Sequence, residues 1–274
     1  MKNKKVIGIA LAVVIIAVCG VMSLPSGLSR EGLLSMGIFL SAVVLWICES
    51  FPMSMTGMGL SMLMVLVGIY TINDAYRTFA GTAFFFVFAT YAINAALAET
   101  TIPDRICAFF IKLTKQNTKL FVLGIMMTAA LLSSIMSNMA TCALIATLAI
   151  KVLKMNGNSK DSNLGKALMI GIPFACCAGG FATPAGTPAN IIAINLLENE
   201  GVTVRFLDWM VVGFPIMIIA VLVCAFSCTL AFKPEGLTKE TMEYANHLST
   251  ELGKLTPKEI KTLIVISVEI VLWI

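Results

Sequence analysis

Charge is scarce in this chain, and histidine is almost missing. Asp, Glu, Lys and Arg together make up 12% of the residues, against about 25% in soluble domains. The single histidine, His247, lies in a polar stretch. The eight cysteines include no C-x-x-C pair and sit almost wholly in apolar segments. These absences exclude a cysteine–histidine metal framework and the usual nucleophile–base constellations. The cysteines read as small hydrophobes. "GFATPAGTP" lacks the Gly-Lys-Ser/Thr ending and the preceding strand of a phosphate-binding loop. The net charge of +4 belongs to loops and says nothing of nucleic acid. No enzyme chemistry, organic cofactor or nucleic-acid partner is expected.

What is present is apolar surface. Hydrophobic residues make up 58% of the chain and the mean hydropathy is +0.93. Apolar runs of spanning length recur, and no alternating period-2 pattern appears. The expected fold is therefore an all-α integral membrane protein, multi-pass in the cell membrane, with the lipid bilayer as its partner. The start, "MKNKKVIGIALAVVIIAVCGVM", has a basic head and an apolar body but no A-x-A site, so it reads as a first transmembrane helix rather than a signal peptide.

Apolar spans fall at about 6–23, 33–49, 53–70 and 78–98. The segment 101–116, "TIPDRICAFFIKLTKQ", is amphipathic and too short to cross, and reads as a helix lying in the interface. The stretches 119–154 and 166–198 are unusual. A span at 208–232, a polar cytoplasmic linker at 233–257 and an apolar segment at 259–274 follow. Glu49, close to Pro52 at a short turn, reads as structural. Glu269, ionisable within an apolar segment, is a functional candidate by default.

The stretch 119–154 decides the topology. A single straight helix of that length reaches about 50 Å at 1.5 Å per residue, well beyond the roughly 30 Å of hydrocarbon. Ser133, Ser134, Ser137, Asn138 and Thr141 sit at its middle, where a polar group without a partner costs several kcal/mol. For Ser134 and Thr147 singly, a bond to a carbonyl one turn back is the simpler explanation. Lys115 and Lys119 precede the stretch; Lys151, Lys154 and Lys160 follow it. If the chain enters, turns at Ser137–Asn138 and returns, and the N-terminus is cytoplasmic, sixteen of the 19 basic residues lie inside. Only Arg30, Arg77 and Arg205 then lie outside. A full crossing destroys that bias, so 119–154 is expected to be a re-entrant hairpin.

The stretch 166–198 is interrupted too. "AGGFATPAGTP" carries three Gly and two Pro in eleven residues, a density that unwinds a helix. The break is expected over Gly179–Pro188. Irregular backbone at membrane depth survives where it is buried in protein or lines a cavity. Two such breaks form the pattern of transporters, in which half-helix ends meet at a binding site. The half-helix starting after Asn138 offers N–H groups and a positive dipole end to an anion. Carbonyls of 179–187 with Ser and Asn oxygens suit a small hard cation such as Na⁺. Neither break contains an ionisable residue.

At these residues the sequence resembles the divalent anion:sodium symporter family, carriers of di- and tricarboxylates and sulfate. "SIMSNMAT" is similar to its hairpin Ser-Asn-Thr motif. "AGGFATPAGTPAN" is similar to its Gly-Gly-x-x-Thr…Gly-Thr-Pro-x-Asn signature, and "WICESFPMSMTGMGL" to its Trp-x-x-Glu-x-x-Pro-x-x-x-Thr segment. "FLDWMVVGFP" and the closing "LWI" also fit, so the resemblance covers nearly the whole chain. It implies sodium-coupled symport of a small anionic substrate, most simply a C4-dicarboxylate, by an elevator mechanism in a homodimer. By position, Ser133, Ser137, Asn138 and Gly186 match residues that hold sodium. Ser137, Asn138 and Thr187 match residues that touch the substrate carboxylate, with Pro188 beside them. Residues 1–118 correspond to scaffold helices and an interfacial arm, 119–205 to transport-domain elements and 206–232 to a further span.

Two departures bear on function. Met139 stands where the family motif has Thr, so one hydroxyl donor to the substrate is missing unless Thr141 supplies it. The resemblance also implies two inverted repeats, of which this chain is expected to be the first, with 258–274 the start of the second. Alternatives are a sodium-independent anion exchanger, a carrier of citrate, sulfate, arsenite or another oxyanion, and, in a different class, a membrane scaffold without transport.

Overall fold

A computed structural model describes residues 2–24, 27–113, 117–238 and 252–273. Lys115, His247 and most of the 233–257 linker lie outside the described residues, as does the side chain of Glu269. All regular structure among the described residues is helical. Five helices are long and apolar enough to cross a membrane: Asn3–Val21, Arg30–Ile47, Asn138–Met155, Asn163–Ala182 and Phe206–Phe232. With the apolar composition, this makes the protein an all-helical, multi-pass membrane protein.

The chain divides into two compact units, Met1–Phe84 and Phe85–Ile274. The first holds α1 (Lys2–Val21), α2 (Arg30–Ile47), α3 (Met53–Leu66) and α4 (Ile72–Phe79). Its centre is the α1–α2 pair, joined by hydroxyls that reach across to backbone carbonyls. Ser41 Oγ donates to the Ala12 carbonyl (3.1 Å) and Ser50 Oγ to that of Lys5 (3.0 Å). In lipid such bonds hold helices together where hydrophobicity cannot. Ser29 caps α2 through the Gly32 amide. Glu49 ends that helix with φ 50, a left-handed turn residue. The expected 53–70 span is shorter than the sequence suggests, closing at Leu66 in a turn through Gly68, whose φ is +81. The 78–98 span is also divided, because Thr71 and Asp74 cap a separate α4 and the chain breaks at Ala80–Gly81 before α5 (Thr82–Ala98).

The second unit is built around α7 (Thr118–Ser133), with α6 (Ile102–Leu113), α8 (Asn138–Met155), α9 (Asn163–Ala182) and α11 (Phe206–Phe232) packed on it. Phe121, Val122, Ile125, Met126, Ala129 and Ala130 of α7 are fully buried, and meet Leu168, Ile172 and Ala175 of α9 and Met217, Val221 and Ala225 of α11 in one core. A helix apolar on all sides belongs in a core or a membrane, and α7 is buried along most of its surface, with Leu123, Met127 and Leu131 only partly covered. Segment Phe84–Ala98 of α5 and Ile102–Phe110 of α6 meet at 71°. α10 (Pro188–Asn199) follows a single 3₁₀ turn, Pro184–Gly186, and α12 (Pro257–Trp273) ends the chain.

The helix ends are pinned by side chains. Asn117 caps α7 through the amides of Lys119 and Leu120. Past α11, Glu235 accepts from the first amides of α9, Asn163 (2.9 Å) and Leu164 (2.6 Å). Asn156, closing α8, bonds both Gly236 and Thr238. The start of α7 lines a cavity together with Thr229, Lys233 and Pro234 at the end of α11. Entry to α7 and exit from α8 thus meet one and the same short segment, 229–238. At the other end, Trp209 Nε1 donates to the Phe181 carbonyl (2.9 Å) and Gly213 passes against that of Ala182. The turn region therefore lies about two helical turns from the start of α11.

Candidate functional site

Both sequence breaks appear, and they touch. Between α7 and α8 the helix is interrupted over Ser134–Ser137. The second break is narrower than the Gly179–Pro188 interval the sequence suggests. α9 runs on to Ala182, Thr183 and Thr187 are extended, and Pro184–Gly186 form the turn between them. The glycines at 179 and 180 stay helical because they serve close packing rather than unwinding. A Cβ on Gly179 would lie 2.1 Å from the Ala130 carbonyl oxygen of α7, and one on Gly180 would lie 2.4 Å from Asn138 Oδ1 of α8. Only glycine lets α9 approach the two half-helices so nearly.

Thr183 ties the breaks together. Its hydroxyl donates to the Ser134 carbonyl and accepts from the Gly186 amide (3.0 Å). Asn190 completes the corner, its Nδ2 donating to the carbonyls of Gly180 (2.8 Å) and Thr183 (2.7 Å). Gly186 lies against Gly180, since a Cβ there would be 2.4 Å from the Gly180 oxygen. Ser133 Oγ, fully buried, donates to Asn138 Oδ1 at 2.6 Å. Ser133, Asn138 and Gly186 therefore gather around Gly180. This is a neutral set of hydroxyl, amide and carbonyl oxygens, the donor chemistry that suits a hard cation.

On the open side lies a cavity of about 270 Å³ lined by Val87, Thr90, Tyr91, Asn94, Ser137, Asn138, Met139, Ala185, Gly186, Thr187 and Pro188. No charged side chain is among these described lining residues. Two helix starts face it, α8 at Asn138 and α10 at Pro188. Neither the Ser137 nor the Thr187 side chain caps its helix, so the hydroxyls are not consumed by backbone amides there. Met139 is 84% exposed and presents a thioether at the cavity wall.

Of the residues named from sequence, Ser137, Asn138, Met139, Thr187, Pro188 and Gly186 line the cavity, and Ser133 lies behind Asn138. Thr141 does not join them. Its hydroxyl is fully buried, has no hydrogen-bond partner, and is not part of the lining. It lies one helical turn past Asn138, on a buried side of α8. Ser134 and Thr147 satisfy themselves on local carbonyls, those of Leu131 and Ala143. All eight cysteines are free thiols, with Cys107, Cys176 and Cys228 buried.

Sequence reading missed the contribution of α5. Asn94 Oδ1 accepts from the Ser137 amide (3.2 Å), fixing the end of the hairpin turn, and Thr90 and Tyr91 line the same wall. An Asn inside "FFFVFATYAINAALA" is itself a signal, because a lone amide in an apolar helix needs a partner. Thr183 and Asn190 were visible only as parts of a motif; their bonding role depends on the fold.

The family model described as a citrate transporter matches residues 43–274. An uncharacterized transporter of Haemophilus influenzae is 28% identical over 84% of this chain and 48% of its own length. The sodium-dependent dicarboxylate transporter SdcS of Staphylococcus saprophyticus is 24% identical over 98% of this chain and 54% of its own. The sodium-dependent high-affinity dicarboxylate transporter 3 of Caenorhabditis elegans is 22% identical over 84% and 44%. The chain spans about half the length of the curated relatives it matches. With the family model covering most of its length, the chain belongs to the citrate transporter family, a family of transporters and not of enzymes.

Proposed function

We propose that this chain supplies one binding corner of a sodium-coupled secondary transporter of small divalent anions, with C4-dicarboxylates the expected substrates. The observation that carries this reading is the meeting of the two helix breaks. The oxygens of Ser133, Asn138 and the Gly180–Gly186 turn form the inner layer, where Na⁺ is held. The cavity in front, bounded by Ser137, Asn138, Thr187 and Pro188, takes the anion, its carboxylate facing two helix starts. Na⁺ beside it supplies the countercharge that the neutral lining lacks. A volume of about 270 Å³ is just under the roughly 300 Å³ at which drug-sized pockets start, which suits a small anion.

The re-entrant hairpin belongs to this proposal. Its support is that both ends of the α7–α8 pair meet residues 229–238 after α11, as a chain that enters and leaves on one side requires. The N-terminus is then cytoplasmic, and the sharp bend into α6 suits an arm lying in the interface. The elevator motion and the homodimer rest on the symporter resemblance alone; the first-of-two-repeats role is supported also by sodium-dependent relatives of about twice this length.

A second reading has its own observation. Met139 places a thioether where a hydroxyl donor is expected, which favours a different anion, such as citrate or sulfate, or exchange without sodium. The test is uptake of labelled succinate, citrate and sulfate into proteoliposomes holding the protein encoded by the whole gene, with and without a Na⁺ gradient. Succinate uptake that rises with Na⁺ and falls at least tenfold in Asn138→Ala supports the first reading, a single lost charge-assisted contact being worth about that much. Counterflow indifferent to Na⁺ supports the second. No uptake of any anion would leave a scaffold.

A further inference from the structure

At the opposite end of the second unit, away from the binding corner, lies a cavity of about 630 Å³ between the start of α7 and the end of α11. Its walls are of two kinds. Lys119, in the first turn of α7, and Lys233, just past the end of α11, both line it, with Asn117 and Thr118. Phe226 and Leu230 form the other wall and are 67% and 63% exposed. No acidic residue is among the described lining residues, and neither lysine has a carboxylate partner among the described ion pairs.

We propose that this cavity binds the headgroup of an anionic phospholipid. Charge complementarity sets the sign of the occupant, since two lysines without a described ion-pair partner line one cavity. The apolar wall decides between a lipid and a free anion. Phe226 and Leu230 continue upward along α11 as an exposed stripe through Val223, Leu222 and Ile219, the surface a helix turns to acyl chains. A soluble phosphate would use the lysines and leave that wall bare; a phospholipid uses both, with its phosphate at the lysines and its chains along α11. Lysines at the ends of spans, at headgroup depth, are placed for this role. Occupancy would join α7 to α11 at the base of the hairpin, opposite the transport site.

The test is native mass spectrometry of the detergent-solubilised full chain with phosphatidylglycerol or phosphatidylcholine, with a Lys119→Gln/Lys233→Asn variant beside the wild type. Asn is chosen at 233 because φ is 46 there, a conformation it tolerates. Retention of phosphatidylglycerol should exceed that of phosphatidylcholine by about tenfold and lose this preference in the double variant, two surface-charge contacts being worth about that much. Lys160→Gln, a basic residue outside the cavity lining, should leave retention unchanged. Lys119→Gln alone, on an exposed first turn, should lower it in part and guards against misfolding of the double variant. Equal retention of the two lipids, an unchanged preference in both cavity variants, or an equal loss in Lys160→Gln would overturn the proposal. So would displacement of the lipid by inorganic phosphate at millimolar concentration.

Discussion

Arg105 and Glu259, 154 positions apart in sequence, are locked together, with Arg105 Nε 2.8 Å from Glu259 Oε1 and Nη2 3.1 Å from Oε2. Glu259 is 1% exposed and also accepts from Thr101 Oγ1 and the Thr256 amide. Arg105 donates further to the carbonyls of Leu252, Gly253 and Lys254. One guanidinium thus fastens the end of the linker and the first turn of α12 to α6. Bidentate pairs of this kind depend on the planar fork of arginine. Arg105→Lys should therefore fail to substitute. Both Arg105→Lys and Glu259→Gln should lower the thermal midpoint and speed proteolysis within 252–258, measured by limited trypsinolysis in detergent. Midpoints equal to wild type would show the clasp to be idle.

Gly180 should not tolerate a methyl group. A Cβ there lies 2.4 Å from Asn138 Oδ1, so Gly180→Ala pushes the Asn138 amide off Ser133. Sodium-stimulated uptake should fall by about tenfold or more, with the fold kept, because the displaced atom belongs to a side chain. Gly179→Ala meets the Ala130 backbone instead and should cost about 1–3 kcal/mol of stability, as overpacking does. Comparing uptake with thermal midpoint for the two variants separates them.

Met139 is a position where function should be gained. Met139→Thr restores a hydroxyl at a cavity wall already lined by Ser137 and Thr187. One added hydrogen bond to a charged oxygen is worth about 1.5 kcal/mol, so the KM for succinate should fall roughly tenfold. A KM unchanged for every dicarboxylate tested would mean that side chain 139 never meets the substrate.

The Glu235 carboxylate gives a pH signature. Partial burial pushes its pKa up, but the amides of Leu164 and Asn163 and nearby Lys166 outweigh this and hold it below the ordinary value. A depressed folded-state pKa contributes stability above the unfolded pKa, near 4.3, and loses it as pH falls through the folded value. The thermal midpoint of the wild type should therefore drop between pH 6 and pH 3.5 by more than that of Glu235→Gln. Parallel declines would show that the α9 cap contributes nothing through its charge.

Asn94→Ala should disturb the turn without removing any cavity oxygen of the hairpin itself. The Ser137 amide loses its acceptor at 3.2 Å, and an unsatisfied buried amide costs about 1–3 kcal/mol. The expected result is a raised KM for both Na⁺ and substrate, with Asn94→Asp recovering part of the loss.

Much of the corner was legible because its chemistry contradicts its surroundings. Ser133, Ser137 and Asn138 stand out in an apolar run, and Gly and Pro crowd together only near 179–188. Length did the rest, since 119–154 is too long for one span. What stayed hidden depends on neighbours distant in sequence. Asn94 gains its meaning from a Ser137 amide 43 positions away. The helicity of Gly179 and Gly180 could not be read from composition, because glycine marks both unwinding and close contact. The burial of Thr141 could not be read from the sequence either, because it depends on what packs against α8. The division of 78–98 into α4 and α5 follows from a local Thr71–Asp74 cap that apolar periodicity does not reveal.

Thr183 grips the hairpin with one lone hydroxyl while steadying its own turn with the same oxygen. The two interruptions are thereby soldered into a single piece. A strain applied to either interruption is therefore felt by the other, and the pair answers as one body.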